Sequence, residues 1–168
     1  MKQIGLISDT HGIVINQIYT ALAGCDEIWH AGDIGDIATA DKLAAFKPLR
    51  AVYGNIDDHV VRMSYPEVQL FECEKLKVLM THIGGYPGKY VPHVRKMLIQ
   101  EKPGLFISGH SHILKIIFDP QLNCLHMNPG SAGIYGIHAV ITMLRFGIDD
   151  GKVVKPEIIE LERKMVQR

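Results

Sequence analysis

The sequence predicts an α/β protein of two packed β-sheets with helices outside them. Two observations carry this. In the first 55 residues, short apolar runs alternate with segments of helical periodicity, whereas the rest is rich in strand-like runs separated by turns. With 168 residues and 47% hydrophobic composition, the chain suits one domain, residues 1–168, with a substantial core.

Gln3–Ile7 reads as a buried strand ending in the polar turn Ser8–Gly12. Val14–Ala23 has apolar residues at helical spacing (Val14, Ile18, Leu22) and stops at Gly24. Glu27–His30 is a second strand, Ala38–Phe46 a second helix closed by Pro48, and Leu49–Tyr53 a third strand running into Gly54-Asn55. Strand–helix alternation implies parallel strands with right-handed crossovers, so these strands end on one edge. Ligands of open α/β sheets bind at that edge.

Further on, Val68–Cys73 and Leu76–Thr81 read as strands joined at Glu74-Lys75, and Ile83–Pro92 as a Gly- and Pro-rich loop. A helix over His93–Gln100 follows, with Pro92 in its first turn. Leu105–Ser108, Leu114–Phe118, Cys124–Met127, Ala139–Phe146 and Val153–Leu161 are the remaining strands, with Phe146–Lys152 read as a turn.

Eighteen basic residues balance eighteen acidic ones, so no net field draws the chain to nucleic acid or an anionic membrane. No apolar run is long enough to span a bilayer, and Asp9 and His11 fall too early for a signal peptide. Cys25, Cys73 and Cys124 are dispersed and odd in number, which points to a reducing cytoplasm rather than a disulfide framework. A mean hydropathy of +0.09 and an apolar C-terminal strand face raise the expectation of a homo-oligomer.

The chemistry lies directly after the strands. Asp9, His11, Asp33, Asn55, His82, His110 and His112 are seven oxygen or imidazole donors at five strand ends, with no thiolate among them. Each motif alone has an ordinary explanation: a capping aspartate, a helix start, a tight turn, a core histidine. Their joint placement at one edge does not. Seven donors exceed the four that one tetrahedral ion takes, and they suit two ions sharing one carboxylate. Mixed O/N donors favour manganese, with nickel, iron, zinc or cobalt as alternatives, over magnesium or calcium.

In order, Asp9-Thr10-His11, Gly32-Asp33, Gly54-Asn55, Thr81-His82 and Gly109-His110-Ser111-His112 resemble the motifs of calcineurin-like metallophosphoesterases. The likeness is greatest to the small single-domain phosphodiesterases related to a retromer subunit, and runs from residue 3 to about residue 135. It implies two mixed β-sheets flanked by helices, with a dimetal centre at the sandwich edge. It implies Asp9, His11 and His112 on the first ion, Asn55, His82 and His110 on the second, and Asp33 bridging. Asp33, Asn55, His82 and His110 are accordingly also the expected catalytic residues. The implied reaction is hydrolysis of a phosphodiester by a hydroxide held between the ions.

Larger members of the superfamily carry a histidine directly after the ligand asparagine. Here that position is Ile56, which can neither protonate a leaving group nor stabilise charge. Diesters with acidic leaving groups are therefore the expected substrates. Asp57, His59 and Ser131 are candidate substrate-side residues: Asp57 to orient Asn55 or a ligand histidine, or else to cap a helix; His59 to replace the missing acid; Ser131 from the turn Asn128-Pro129-Gly130-Ser131. Tyr86, Lys89 and Tyr90 place a base- or phosphate-contacting loop near the metals, or a plain solvent loop. The alternative to a small-diester hydrolase is a protein-interaction scaffold with hydrolysis lost. A nuclease ranks third, because no extended basic stripe is present.

Overall fold

The computed structural model describes residues 1–163. Its elements are β1 (Lys2–Ile7), α1 (Asn16–Leu22), β2 (Glu27–His30), α2 (Ile37–Phe46), β3 (Leu49–Ala51), α3 (His59–Ser64), β4 (Val68–Cys73) and β5 (Leu76–Thr81). They continue with α4 (Pro92–Glu101), β6 (Leu105–Ile107), β7 (Lys115–Asp119), β8 (Cys124–Asn128), β9 (Val140–Asp149) and β10 (Lys152–Glu162). Two five-stranded mixed sheets result, ordered β10-β9-β1-β2-β3 and β4-β5-β6-β8-β7. The strands β1, β2 and β3 are parallel, as are β5, β6 and β8.

The central strands are apolar on both faces because both faces are covered. Ile4 and Leu6 of β1 meet Val78 and Met80 of β5, Leu105 and Ile107 of β6, and Met127 of β8 between the sheets. The intervening positions face outward: Ile7 and Ile28 pack against Ile18, Leu22 and Leu43 of α1 and α2. Leu79 and Phe106 pack against Val94 and Leu98 of α4. Trp29, fully buried, anchors the inter-sheet core, with Phe71 at 5.0 Å and Phe146 at 6.0 Å in edge-to-face contact.

Local chemistry sets the helix starts. Asp36 caps α2 by accepting from Thr39 N, and Asp58, not Asp57, caps α3 by accepting from Val61 N. Pro92 opens α4 at its first position. Most boundaries move by one or two residues from the sequence reading, β3 ending at Ala51 rather than Tyr53, and two further shifts stand out. Helix α1 starts at Asn16 because Ile13, Val14 and Ile15 precede it without a side-chain cap. Strand β9 continues past Phe146 to Asp149, since Phe146 and Ile148 keep alternating into the core, and the turn shrinks to Asp150-Gly151. No helix among the described residues is long and apolar enough to cross a membrane.

Replacing Trp29 with Ala removes the largest side chain from the inter-sheet core. Urea unfolding is expected to show a loss of about 3–5 kcal/mol, and a loss below 1 would contradict this placement of the core.

Candidate metal centre

The loops that follow β1, β2, β3, β5 and β6 meet at one edge of the sandwich, and each brings one or two of the seven donors. They are held there by backbone bonds between loops. Asp9 N donates to Gly32 O, His11 N to Asp33 O, and Gly109 N to His82 O.

Within this frame Asp9, His11 and His112 form one group of mutually close donor atoms, and Asp33, His82 and His110 form another, all within 4.8 Å inside each group. Asn55 joins the second group: its Oδ1 accepts from His82 Nε2 at 3.1 Å and His110 Nδ1 at 3.0 Å. Asp33 stands between the groups, with Oδ1 3.2 Å from His82 Nε2 and Oδ2 3.7 Å from His11 Nε2. His112 Nε2 lies 3.1 Å from Asp9 Oδ1.

Five of these residues hold left-handed backbone: Asp9 (φ 56°), His11 (51°), Asp33 (53°), His110 (67°) and His112 (58°). Left-handed backbone is unfavourable for side chains with a Cβ, at about 1–2 kcal/mol each. Here it turns each chain sharply off its strand and aims the donor at the common centre. The glycines beside the ligands permit the close approach. A Cβ on Gly54 would lie 2.0 Å from Asp33 Oδ1, and one on Gly109 2.2 Å from Ser8 Oγ.

Whether cations fit is answered by the atoms left unpaired. Asp9 is fully buried, and its Oδ2 accepts from Ser8 Oγ and from His110 N. Its Oδ1, like His11 Nε2, is buried without a directed hydrogen-bond partner among the described residues. His82 Nδ1 donates to Ala31 O at 2.7 Å, which leaves Nε2 as the coordinating nitrogen. Buried carboxylate oxygen and imidazole nitrogen facing each other, unpaired, suit a metal ion.

Electrostatics agree. Burial works to raise the Asp9 pKa, but His11 and His112 beside it outweigh this and hold the carboxyl below the usual range. Asp33 is likewise lowered, burial being outweighed by His82 and by Ile56 N–H. Asp9 raises His11 above its ordinary value; His82 is also raised, because Asp33 and Asp9 overcome its desolvation.

The surrounding residues brace the loops. Asp57 is 3% exposed, and its carboxylate accepts from Gly54 N (2.7 Å), Gly35 N (2.8 Å) and Ile34 N (3.2 Å). It therefore ties the Asp33 loop to the Asn55 loop through backbone and touches neither a ligand side chain nor solvent, so a substrate contact does not fit. Ser131 is also buried; its hydroxyl donates to Asp9 O, behind the donors rather than in front. His59 is exposed at the first position of α3, with no hydrogen bond to a site residue among those described.

Three supports were not assigned from sequence. His30, fully buried, accepts from Gly32 N at Nδ1, so its proton sits on Nε2 and donates to Thr10 Oγ1, which donates to Ile34 O. Burial pushes its pKa down to about 3, keeping the ring neutral for this chain of bonds. Asn128 donates to Gly109 O and Ser111 Oγ across the GHSH turn, and Arg62 donates to Asp57 O and Asn55 O. His30 and Asn128 have as their sequence signal only a place at a strand end, and Arg62, seven residues after Asn55 and inside α3, has none.

Comparison with known proteins agrees with this geometry. The family model described as a calcineurin-like phosphoesterase superfamily domain matches residues 1–151. A probable metallophosphoesterase of Methanothermobacter thermautotrophicus is 29% identical over 164 residues, covering 93% of this chain and 91% of that protein. Vps29 of Chaetomium thermophilum shares the fold at TM-score 0.74 and 17% identity, over 96% of this chain and 97% of that one. A structurally characterised archaeal phosphodiesterase does so at TM-score 0.73 and 19% identity, over 95% and 99%. With 151 of its residues under that model and two adjoining donor groups at the sheet edge, this chain belongs to the calcineurin-like phosphoesterase superfamily, whose members use a dimetal centre.

Proposed function

We propose that the protein is a metal-dependent phosphodiesterase. The observation that carries the reading is the pair of donor groups joined through Asp33, with Asp9 Oδ1 and His11 Nε2 left unpaired between them. Asp9, His11 and His112 would hold one ion, and Asn55, His82 and His110 the other, with Asp33 shared. Manganese is the expected ion for this oxygen and imidazole set, with nickel, iron, zinc or cobalt as alternatives. When bound, the ions supply neutralisation of phosphate-oxygen charge and a water acidic enough to yield the attacking hydroxide.

The chain's own residues fix how that chemistry is used. Asp33 spans both groups and is oriented by Ile56 N–H donating to its Oδ1 at 3.1 Å. The Ala31 carbonyl locks the His82 tautomer, and Ser8 with His110 N–H orients Asp9. Ile56, 46% exposed, offers no proton at the place where a histidine would. His59 has no described contact that brings it to the donors. A leaving group must then depart without help, which favours acidic alcohols and phenols and disfavours alkyl monoesters.

The likeness to Vps29 favours a second reading, a protein-binding scaffold on the same fold. The complete donor set argues for hydrolysis ahead of it. The three buried free thiols, Cys25, Cys73 and Cys124, suit a cytoplasmic protein.

Asp33→Asn is expected to lower bound metal and to reduce hydrolysis of an aryl phosphodiester by at least about 100-fold. Undiminished turnover would sink the mechanism. Ile56→His is expected to raise turnover of alkyl monoesters, up to about 100-fold if leaving-group protonation limits the rate; no gain would mean that it does not. Because protons on His11 and His82 must leave for ions to enter, and their neighbouring carboxylates raise both above the ordinary imidazole value, metal affinity is expected to fall as pH drops through their raised pKa values. Calorimetric titrations over that range, in buffers of different ionisation enthalpy, should show proton release, and a flat affinity profile would contradict the assignment.

A further inference from the structure

A strand at the end of a sheet leaves one row of backbone N–H and C=O groups unpaired, and folded chains protect such edges. Four strands end the two sheets: β10 and β3 in one, β4 and β7 in the other. Three of these edges are blunted. Gln69 Nε2 of β4 donates to Ala51 O of β3, and the Arg50 guanidinium of β3 lies over the Phe71 ring of β4, so these two edges close on each other. Strand β10 is broken between Val154 and Glu157, where Lys155 takes left-handed backbone (φ 49°) and Pro156 has no N–H to offer. The remaining edge is β7, which pairs with β8 alone in an unbroken register and contains no proline.

This edge is also apolar. Ile116, Ile117 and Phe118 are consecutive and between 36% and 54% exposed, so both faces of the strand present apolar surface. Ile116 and Phe118 pair with Met127 and Leu125 on the inter-sheet side, and Ile117 pairs with His126 on the other. Lys115 and Asp119, at the two ends, share the face of Ile117: the Lys115 ammonium covers the Tyr86 ring, and the Asp119 carboxylate accepts from Tyr90 Oη.

The strand reads Lys-Ile-Ile-Phe-Asp, and this order is self-complementary. A two-fold axis through Ile117 sets that residue against its own copy, Phe118 against Ile116, and Lys115 against Asp119. Apolar side chains then meet at the three central places and opposite charges at both ends. A parallel pairing in the same register would instead oppose Lys115 to Lys115 and Asp119 to Asp119. Among the described residues no other edge of a second copy is open to β7, so the pairing is isologous and closes as a dimer.

We propose that the edge of β7 is the interface of a homodimer, in which the β4-β5-β6-β8-β7 sheets of two copies join antiparallel into one continuous sheet. The occupant of the edge is a second copy of this chain. Backbone hydrogen bonds across the joint satisfy the open row of groups, and the three apolar pairs fix its register. The inference stands apart from the phosphodiesterase reading.

Sedimentation velocity of the full chain, over a dilution series from high to low micromolar concentration, tests this. The expected result is a species of twice the 18.8 kDa chain mass at the concentrated end. Ile117→Lys brings two ammonium groups together on the two-fold axis, and association is expected to weaken by at least ~100-fold. Ile117→Glu does the same with two carboxylates. Mixed in equal amounts, the two variants are expected to associate again, because the introduced lysine then faces the introduced glutamate across the axis. Should either variant misfold, amide hydrogen exchange in the unaltered protein decides: the N–H groups of β7 on the open side are expected to exchange more slowly as concentration rises. A monomer at every concentration, whether the edge stays bare or another segment or another protein covers it, overturns the proposal. So does a dimer that Ile117→Lys leaves intact, a mixture that fails to associate, or β7 exchange indifferent to concentration.

Discussion

Two carboxylates, Asp9 and Asp33, are both buried at the edge of the sandwich, and much of the surrounding structure answers that fact. Taking a carboxylate out of water costs several kcal/mol unless opposite charge and hydrogen bonds return it. Each acid spends one oxygen on fixed donors: Asp9 Oδ2 on Ser8 and His110 N, and Asp33 Oδ1 on Ile56 N. The other oxygens face the imidazoles of His11, His82 and His112. The site is thus built to hold positive charge, and its composition follows from the need to balance two buried negatives.

Left-handed backbone at five donors explains the bracing around them. Such conformations persist only where the surroundings over-determine them. Asp57 clamps two loops through three backbone N–H groups, Asn128 clamps the GHSH turn, and His30 runs a chain of bonds from Gly32 through Thr10 to Ile34. None of the three reaches the centre. They hold the donors preorganised, so that neither substrate nor ion has to drive the loops into place.

The central strands were legible because two-sided burial writes itself as apolar runs, and β5 is bounded as its run predicts. The seven donors were legible because a polar residue directly after such a run has few structural reasons to be there. The supports were hidden for the converse reason. Asp57 reads equally as a helix cap, and only the structure shows Asp58 in that role while Asp57 turns inward. Ser131 stands near the site in sequence, yet its hydroxyl bonds Asp9 O from behind. Whether a side chain faces the cavity or the wall behind it is set by loop geometry, and left-handed aspartates and histidines leave no mark in residue type. Tyr86 and Tyr90 make the same point: they share one loop, yet one lines the cavity beside His110 and the other bonds Asp119.

The same energetics bear on the choice between enzyme and scaffold. A binding surface draws its affinity from exposed anchors and needs no buried charge beneath it. Keeping Asp9 and Asp33 buried, aiming unpaired Oδ1 and Nε2 atoms at each other, and holding five residues left-handed all lower stability in the absence of ions. A scaffold would gain from losing any of these features, since apolar residues of similar volume often stabilise such sites. An ion-dependent hydrolase requires every one of them together. These features suit a site that binds cations, whose binding would return stability that the buried carboxylates and left-handed donors cost.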